Sequence, residues 1–199
     1  MPPNRITRGP IVRRALLLTA ALGLLATALA GCGSGGGGSA TTAEKERDAQ
    51  LLNNVLGRQL AVVGTYEKLL PTLGGADRAM ARQFLAQEQE HLDATTKTLR
   101  GFGVEAEPSE ETIEASDLKT RADSLEFLYE MESASIDFEL SVVGKLNAGS
   151  PRPLISSMAA NQAQRLVLLR QALGAKRVEA IPSAFENGET PAPERTTGK

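Results

Sequence analysis

Two stretches of the sequence, about 74 residues apart, resemble each other but carry different chemical groups. The first contains Glu88 and His91 in the spacing Glu-x-x-His, and the second has Gln162 and Arg165 at the matching positions. Two Glu-x-x-His pairs, with one glutamate from each of two further helices, hold two metal ions in the core of some four-helix bundles. This chain has one such pair and a single histidine. The sequence therefore indicates a metal-binding type of scaffold in which part of the donor set is replaced.

Four segments have apolar residues at three- and four-residue steps, which is typical of helices with one buried face. We predict helices at about 44–70, 78–100, 117–147 and 153–173. They form two hairpins that repeat after 73 to 74 residues, so the sequence predicts an all-α fold, a four-helix bundle within residues 44–175. The connector between the second and third helices is long enough to run along the bundle. Both a hairpin and a crossover are therefore compatible with the sequence.

Each predicted helix carries polar residues on its inward face, near the middle of the bundle. They are Gln59 on the first helix, Glu88 and His91 on the second, Glu132 and Glu139 on the third, and Gln162 and Arg165 on the fourth. A buried charge without a partner is costly, so we expect these groups to pair with one another or to bind a cation.

The first 31 residues are predicted to be an export signal, because four arginines precede the uncharged apolar run 15–30. This run is shorter than the roughly 20 residues of a membrane-spanning helix. It ends in Leu29-Ala30-Gly31-Cys32, which resembles the lipobox of bacterial lipoproteins. The resemblance implies cleavage before Cys32 and attachment of a diacylglycerol carrying fatty acyl chains such as palmitate. Export by the general or the twin-arginine route is left open.

The segments on either side of the predicted bundle have a different composition. Residues 32–43 are rich in glycine and serine and are predicted to be a flexible tether, and the proline-containing tail 176–199 is predicted to be disordered. Without the signal the chain has 18 basic and 24 acidic residues, a net charge of −6. We therefore expect no nucleic-acid partner. The lipid on Cys32 would hold the protein on the outer face of the cytoplasmic membrane.

Between about Ala43 and Ala175 the chain resembles the ferritin-like superfamily, and most closely the bacterial secreted proteins with a ferritin-like domain. The resemblance rests on residues 56–59 and 66–67 of the first helix, 84–91 of the second and 132–136 of the third. It implies a glutamate on the first and third helices and Glu-x-x-His on the second and fourth. Glu88, His91 and Glu132 match that pattern, and Gln59, Gln162 and Arg165 replace its other three ligands.

We consider two alternative states of the bundle core. Iron or another divalent metal would be held by Glu88, His91 and Glu132. Alternatively, no cofactor binds, and Arg165 takes the place of the metal by pairing with Glu88 or Glu132. The permanent charge and forked geometry of a guanidinium suit it to this role. Gln59 and Gln162 are then expected to complete the hydrogen bonds.

Three functions are compatible with these residues. The first is a lipid-anchored ferritin-like protein with a degenerate di-iron site, which serves as a non-redox binding or interaction module for a protein partner or a second copy. The second is an iron-binding protein or oxidase that uses the partial site of Glu88, His91 and Glu132. The third is a carrier of a small ligand in the bundle core. Only the second would be an enzyme.

The lipidation prediction is tested by Cys32→Ala. The variant should lose its acyl chains and leave the membrane fraction without unfolding, because the tether separates residue 32 from the predicted bundle. Intact-mass measurement of the membrane-extracted wild type should show a chain that begins at Cys32 and carries lipid. An unmodified chain that still contains residues 1–31 would contradict the prediction.

Overall fold

The computed structural model describes residues 41–181, which form four helices and contain no strand. The helices are α1 Thr42–Leu69, α2 Gly75–Gly101, α3 Arg121–Val143 and α4 Arg152–Ala172. The prediction of an all-α four-helix bundle is confirmed. The predicted signal peptide, Cys32, most of the tether and the tail from residue 182 lie outside the described residues. Within residues 41–181, no helix combines the length and the apolar character that a membrane span requires.

Capping residues determine where two of the helices begin. The side chain of Thr41 accepts from the backbone of Glu44, whose carboxylate accepts from the backbone of Thr41, and Thr120 and Asp123 repeat this capping box before α3. The third helix therefore begins at Arg121 rather than at residue 117, as predicted from periodicity. At the other end of the described chain, residues 176–181 of the predicted tail include a turn that buries Ala180.

The connector between α2 and α3 crosses the bundle from one end to the other. Arg121, at the start of α3, contacts Asp77, at the start of α2, with 2.5 Å between Nε and Oδ2. Its Nη2 also donates to the carbonyl oxygen of Ala172, at the end of α4, at 3.0 Å. The starts of α2 and α3 thus lie at the same end of the bundle, and these two helices run parallel. Of the two topologies compatible with the sequence, the structure has the crossover.

The crossing connector lies against α1 and needs a glycine there. The backbone N–H of Glu107 donates to Oδ1 of Asn53 at 2.9 Å, and Arg58 pairs with Glu111 at 2.5 Å. Between these contacts, a Cβ atom on Gly57 would lie 2.3 Å from the carbonyl oxygen of Ser109. The absence of a side chain at residue 57 allows the connector to approach α1 at this point.

Two apolar clusters fill the interior of the bundle. One contains Tyr66, Phe84 and Leu128, and the other contains Leu52, Leu99 and Met158. Gln59, Glu88, Glu139 and Gln162 lie along their helices between residues of one cluster and residues of the other. The helical stripes therefore place a polar layer near the centre of an otherwise apolar core.

The close approach at Gly57 is tested by Gly57→Ala, with Gly64→Ala on the same helix as a matched control. A Cβ at residue 64 would meet nothing within 4 Å, whereas one at residue 57 would press against backbone. Overpacking of this kind typically costs about 1–3 kcal/mol, and glycine to alanine in an open helical position stabilises by up to about 1 kcal/mol. Urea unfolding should therefore show opposite changes in the two variants. Equal stabilisation of both would contradict the packing of the connector.

Candidate functional site

The structure brings five of the polar residues expected in the core into buried positions near one level of the bundle. Their exposed fractions are at most a few per cent: Gln59 2%, Glu88 0%, Glu132 1%, Gln162 1% and Arg165 1%. Each of the four helices contributes at least one of them. A guanidinium and two carboxyl groups inside one core must balance one another's charge, because burial has removed the hydration of each group.

The guanidinium of Arg165 joins the two carboxyl groups. Its Nη1 contacts Oε1 of Glu88, and the same nitrogen lies 3.0 Å from Oε1 of Glu132. Glu88 comes from α2, Glu132 from α3 and Arg165 from α4. One nitrogen atom thus connects three helices at the centre of the bundle.

Three further side chains fix the orientation of the Arg165 guanidinium. Its Nε donates to Oε1 of Gln87 at 3.0 Å, and its Nη2 donates to Oδ1 of Asn161 at 2.8 Å. The guanidinium carbon lies 5.5 Å from the centre of the Phe84 ring, within the range of a cation–π contact. Sequence reasoning missed Gln87 and Asn161. A signal was available for Asn161, which lies four residues before Arg165 and hence on the same helix face.

Tyr66 and Gln162 donate hydrogen bonds to one oxygen of each carboxyl group, but Gln59 does not. The hydroxyl of Tyr66 donates to Oε1 of Glu132, and Nε2 of Gln162 donates to Oε1 of Glu88 at 3.4 Å. Gln59 was expected to assist the ion pair. Instead its Nε2 donates to Sδ of Met158 at 3.3 Å. Tyr66 was also missed by sequence reasoning, because an inward aromatic residue fits an apolar stripe.

His91 lies at the edge of this cluster. Its side chain is 15% exposed, and its Nδ1 is 3.3 Å from Oε1 of Glu88. The angles at this contact do not meet those of a hydrogen bond, so Nδ1 has no hydrogen-bond partner among the described residues. His91 therefore lies beside Glu88 at the edge of the ion pair.

The surroundings act differently on the two paired carboxyl groups. Burial opposes ionisation of Glu88, but His91 and Arg165 together outweigh burial and lower its pKa. Burial dominates at Glu132 and raises its pKa, with Arg165 acting in the opposite direction. Burial also opposes the charge of Arg165, yet the two carboxyl groups raise the pKa of its guanidinium. Arg165 is thus a permanent positive charge in the core.

Glu139 is a third buried carboxyl group, two helical turns after Glu132 on α3. Burial raises its pKa to about 9, and the negative charges of Glu88 and Glu132 act in the same direction. Arg165 and a hydrogen bond with Gln162 oppose this shift without cancelling it. At neutral pH, Glu139 therefore holds a proton and adds no third negative charge to the core.

These residues do not fit a two-metal centre. One oxygen of each carboxyl group, Oε1 of Glu88 and Oε1 of Glu132, already contacts Arg165. A metal ion at this position would have to displace the guanidinium or bear its repulsion. Gln59 and Gln162 also lack the negative charge that a glutamate would supply. Residues 41–181 contain no cluster of three or more histidine, cysteine, aspartate or glutamate side chains arranged to hold a metal.

Several solved structures resemble this chain, among them the following two. A ferritin-like, diiron-carboxylate protein from Bacillus anthracis str. Ames matches with a TM-score of 0.58 and 15% identity, over 67% of this chain and 100% of its own. A conserved hypothetical protein from Mycobacterium tuberculosis matches with a TM-score of 0.59 and 19% identity, over 67% and 94% of the two chains. No protein-family model and no curated protein matches the sequence. At these identities the likeness shows the fold, and the predicted ferritin-like fold is confirmed.

The protonation of Glu139 predicts how stability changes with pH. The pKa of Glu139 is about 9 in the folded chain against an ordinary value of 4.5, so only the folded state holds this proton between those values. The contribution of Glu139 to the free energy of unfolding therefore falls as pH rises through this window, by at most about 1.4 kcal/mol per unit. Glu139→Gln removes this dependence, and its stability relative to wild type should increase from pH 5 to pH 9.

Urea unfolding of both proteins across this pH range measures the difference. Glu130→Gln, an exposed substitution on the same helix, controls for the loss of a carboxyl group. A constant difference between wild type and Glu139→Gln at every pH would show that Glu139 does not hold the proton.

Proposed function

We propose that this protein is a lipid-anchored ferritin-like bundle whose di-iron site is degenerate, and that it acts as a non-redox binding or interaction module. One observation carries the proposal. Nη1 of Arg165 contacts both carboxyl groups that would otherwise bind a cation, Glu88 and Glu132. The guanidinium supplies fixed positive charge at that place, without a redox state or an open coordination position.

The contacts around Arg165 support a stable arrangement rather than a temporary one. Gln87, Asn161 and Phe84 hold the guanidinium from three directions, and its side chain is 1% exposed. Displacing it would leave both carboxyl groups without their main positive partner. Glu88 and Glu132, which match a metal-binding pattern, thus serve to bind Arg165 in a core that lacks the complete set of metal ligands.

The N-terminal sequence supports the proposed location. An export signal, Cys32 at the end of a lipobox-like motif and a glycine-rich tether support a protein held on the outer face of the cytoplasmic membrane. A tethered bundle would present its helix surfaces to other envelope proteins or to a second copy of itself. The acidic mature chain argues against a nucleic-acid partner.

A small-ligand carrier is the second candidate, and a groove between α2 and α4 favours it. The groove has a volume of about 560 Å³, and its lining includes the apolar side chains Met80, Phe84 and Leu168. This volume lies within the range of small-molecule sites. The groove is on the surface, whereas the sequence had suggested the bundle core, whose centre contains the Arg165 cluster.

Metal analysis of the full mature chain, purified without chelator, tests the first candidate against an iron protein. We expect far less than one iron per chain and no oxidation of added Fe(II) above the rate in buffer. About two irons per chain, the content of an intact di-iron site, or measurable Fe(II) turnover would overturn the proposal.

Arg165→His tests whether the guanidinium is what excludes the metal. The variant places a second histidine beside Glu88, His91 and Glu132, and we expect it to bind Co(II) or Fe(II) in calorimetric titration where wild type does not. Arg82→His, an exposed substitution on α2, is the matched control and should gain no such site. Equal binding by wild type and Arg165→His would contradict the role given to Arg165.

A further inference from the structure

A second group of buried polar side chains lies next to the Arg165 cluster. Gln59, Glu139 and Gln162 come from α1, α3 and α4, and each is at most 2% exposed. Gln162 connects this group to the ion pair, because it bonds Glu88 and also Glu139. Gln59 contacts Met158, one helical turn before Gln162 on α4. We call these three residues the amide layer.

Three oxygens of the amide layer have no hydrogen-bond partner within residues 41–181. They are Oε1 of Gln59, Oε1 of Gln162 and Oε2 of Glu139, and all three are buried. The same holds for Oε2 of Glu88 and Oε2 of Glu132, whereas the Oε1 atoms of these residues contact Arg165. Buried polar atoms in native proteins are almost always paired, with protein or with ordered water. Four acceptors and the carboxyl group of Glu139, which holds its own proton at neutral pH, indicate a guest that can both donate and accept hydrogen bonds.

The charge of the region selects the class of guest. The two carboxyl groups of the ion pair face one guanidinium, and Nδ1 of His91 lies 3.3 Å from Oε1 of Glu88. Tyr66 adds a neutral hydroxyl from α1, and Glu139 holds its own proton at neutral pH. Arg165 thus balances one of the two negative charges before any guest enters, and burial raises the pKa of Glu132. A small neutral guest that forms hydrogen bonds fits beside the guanidinium better than a metal ion does.

We propose that the amide layer is an internal water-binding site, in which ordered water forms hydrogen bonds with the unpartnered oxygens of Gln59, Glu139, Gln162, Glu88 and Glu132. A buried water typically makes about three hydrogen bonds, so one or two molecules would satisfy this set. In this arrangement the Arg165 guanidinium pairs with the buried carboxyl groups, and ordered water forms hydrogen bonds with the polar atoms that the guanidinium does not reach. The inference rests on the proposed metal-free core and goes beyond the function proposed for it.

A crystal structure of the full mature chain, at a resolution that shows ordered solvent, tests the site. We expect density within about 2.7–3.2 Å of Oε1 of Gln59 or of Gln162, the separation of a hydrogen bond. In Gln59→Met, which keeps the length of the side chain but removes both polar atoms, the water next to residue 59 should be lost. Gln89→Met, an exposed substitution on α2, should leave the internal density unchanged.

Two outcomes would overturn the inference, and they differ in what they mean for the proposed function. A dry layer, with the amide oxygens rotated onto protein donors and no metal in the sample, refutes the water site alone. Density with oxygen contacts of about 2.0–2.6 Å, together with metal in the sample, indicates a bound cation and refutes the metal-free core as well. Unchanged density in Gln59→Met would also refute the assignment of Gln59 to the site.

Discussion

A guanidinium and two carboxyl groups can occupy an apolar core only if they compensate one another, and this constraint organises the centre of the bundle. Arg165 reaches Glu88 and Glu132 with a single nitrogen. Removing two carboxyl groups and a guanidinium from water costs free energy. Proteins in which such a buried ion pair is replaced by apolar residues of similar size are often no less stable. The cluster therefore adds little net stability. Its main effect is to require that the helices be placed so that these charged groups contact one another.

The rest of the fold supports that geometry. The crossover places α2 and α3 parallel, with Asp77 and Arg121 together at one end, and thereby brings Glu88 and Glu132 to the same level. Gly57 lets the connector that makes the crossover lie close against α1. Apolar clusters on both sides exclude bulk water from the polar layer, which strengthens its interactions and raises the cost of any unpaired group.

Helical periodicity was enough to predict the fold and to select the inward polar residues, because a residue's face follows from its spacing along a helix. It could not predict which partner a side chain bonds. The hydrogen bonds of Gln87 and Asn161 to Arg165 were therefore not predicted, and Gln59 was expected at the ion pair although it bonds Met158. The connector length was compatible with two topologies, and only tertiary contacts distinguish them. The start of α3 was predicted too early, although Thr120 and Asp123 have the spacing of a capping box.

The most direct test of the Arg165 cluster is the free energy of unfolding of Arg165→Ala, Glu88→Gln and the double variant, measured with chelator present. The account predicts that Arg165→Ala costs about 3–5 kcal/mol, because it leaves buried carboxyl groups without their counter-charge. The double variant should cost clearly less than the sum of the single variants, since the two residues act on each other. If Arg165→Ala unfolds like wild type and the two changes are additive, Arg165 does not take the place of a metal.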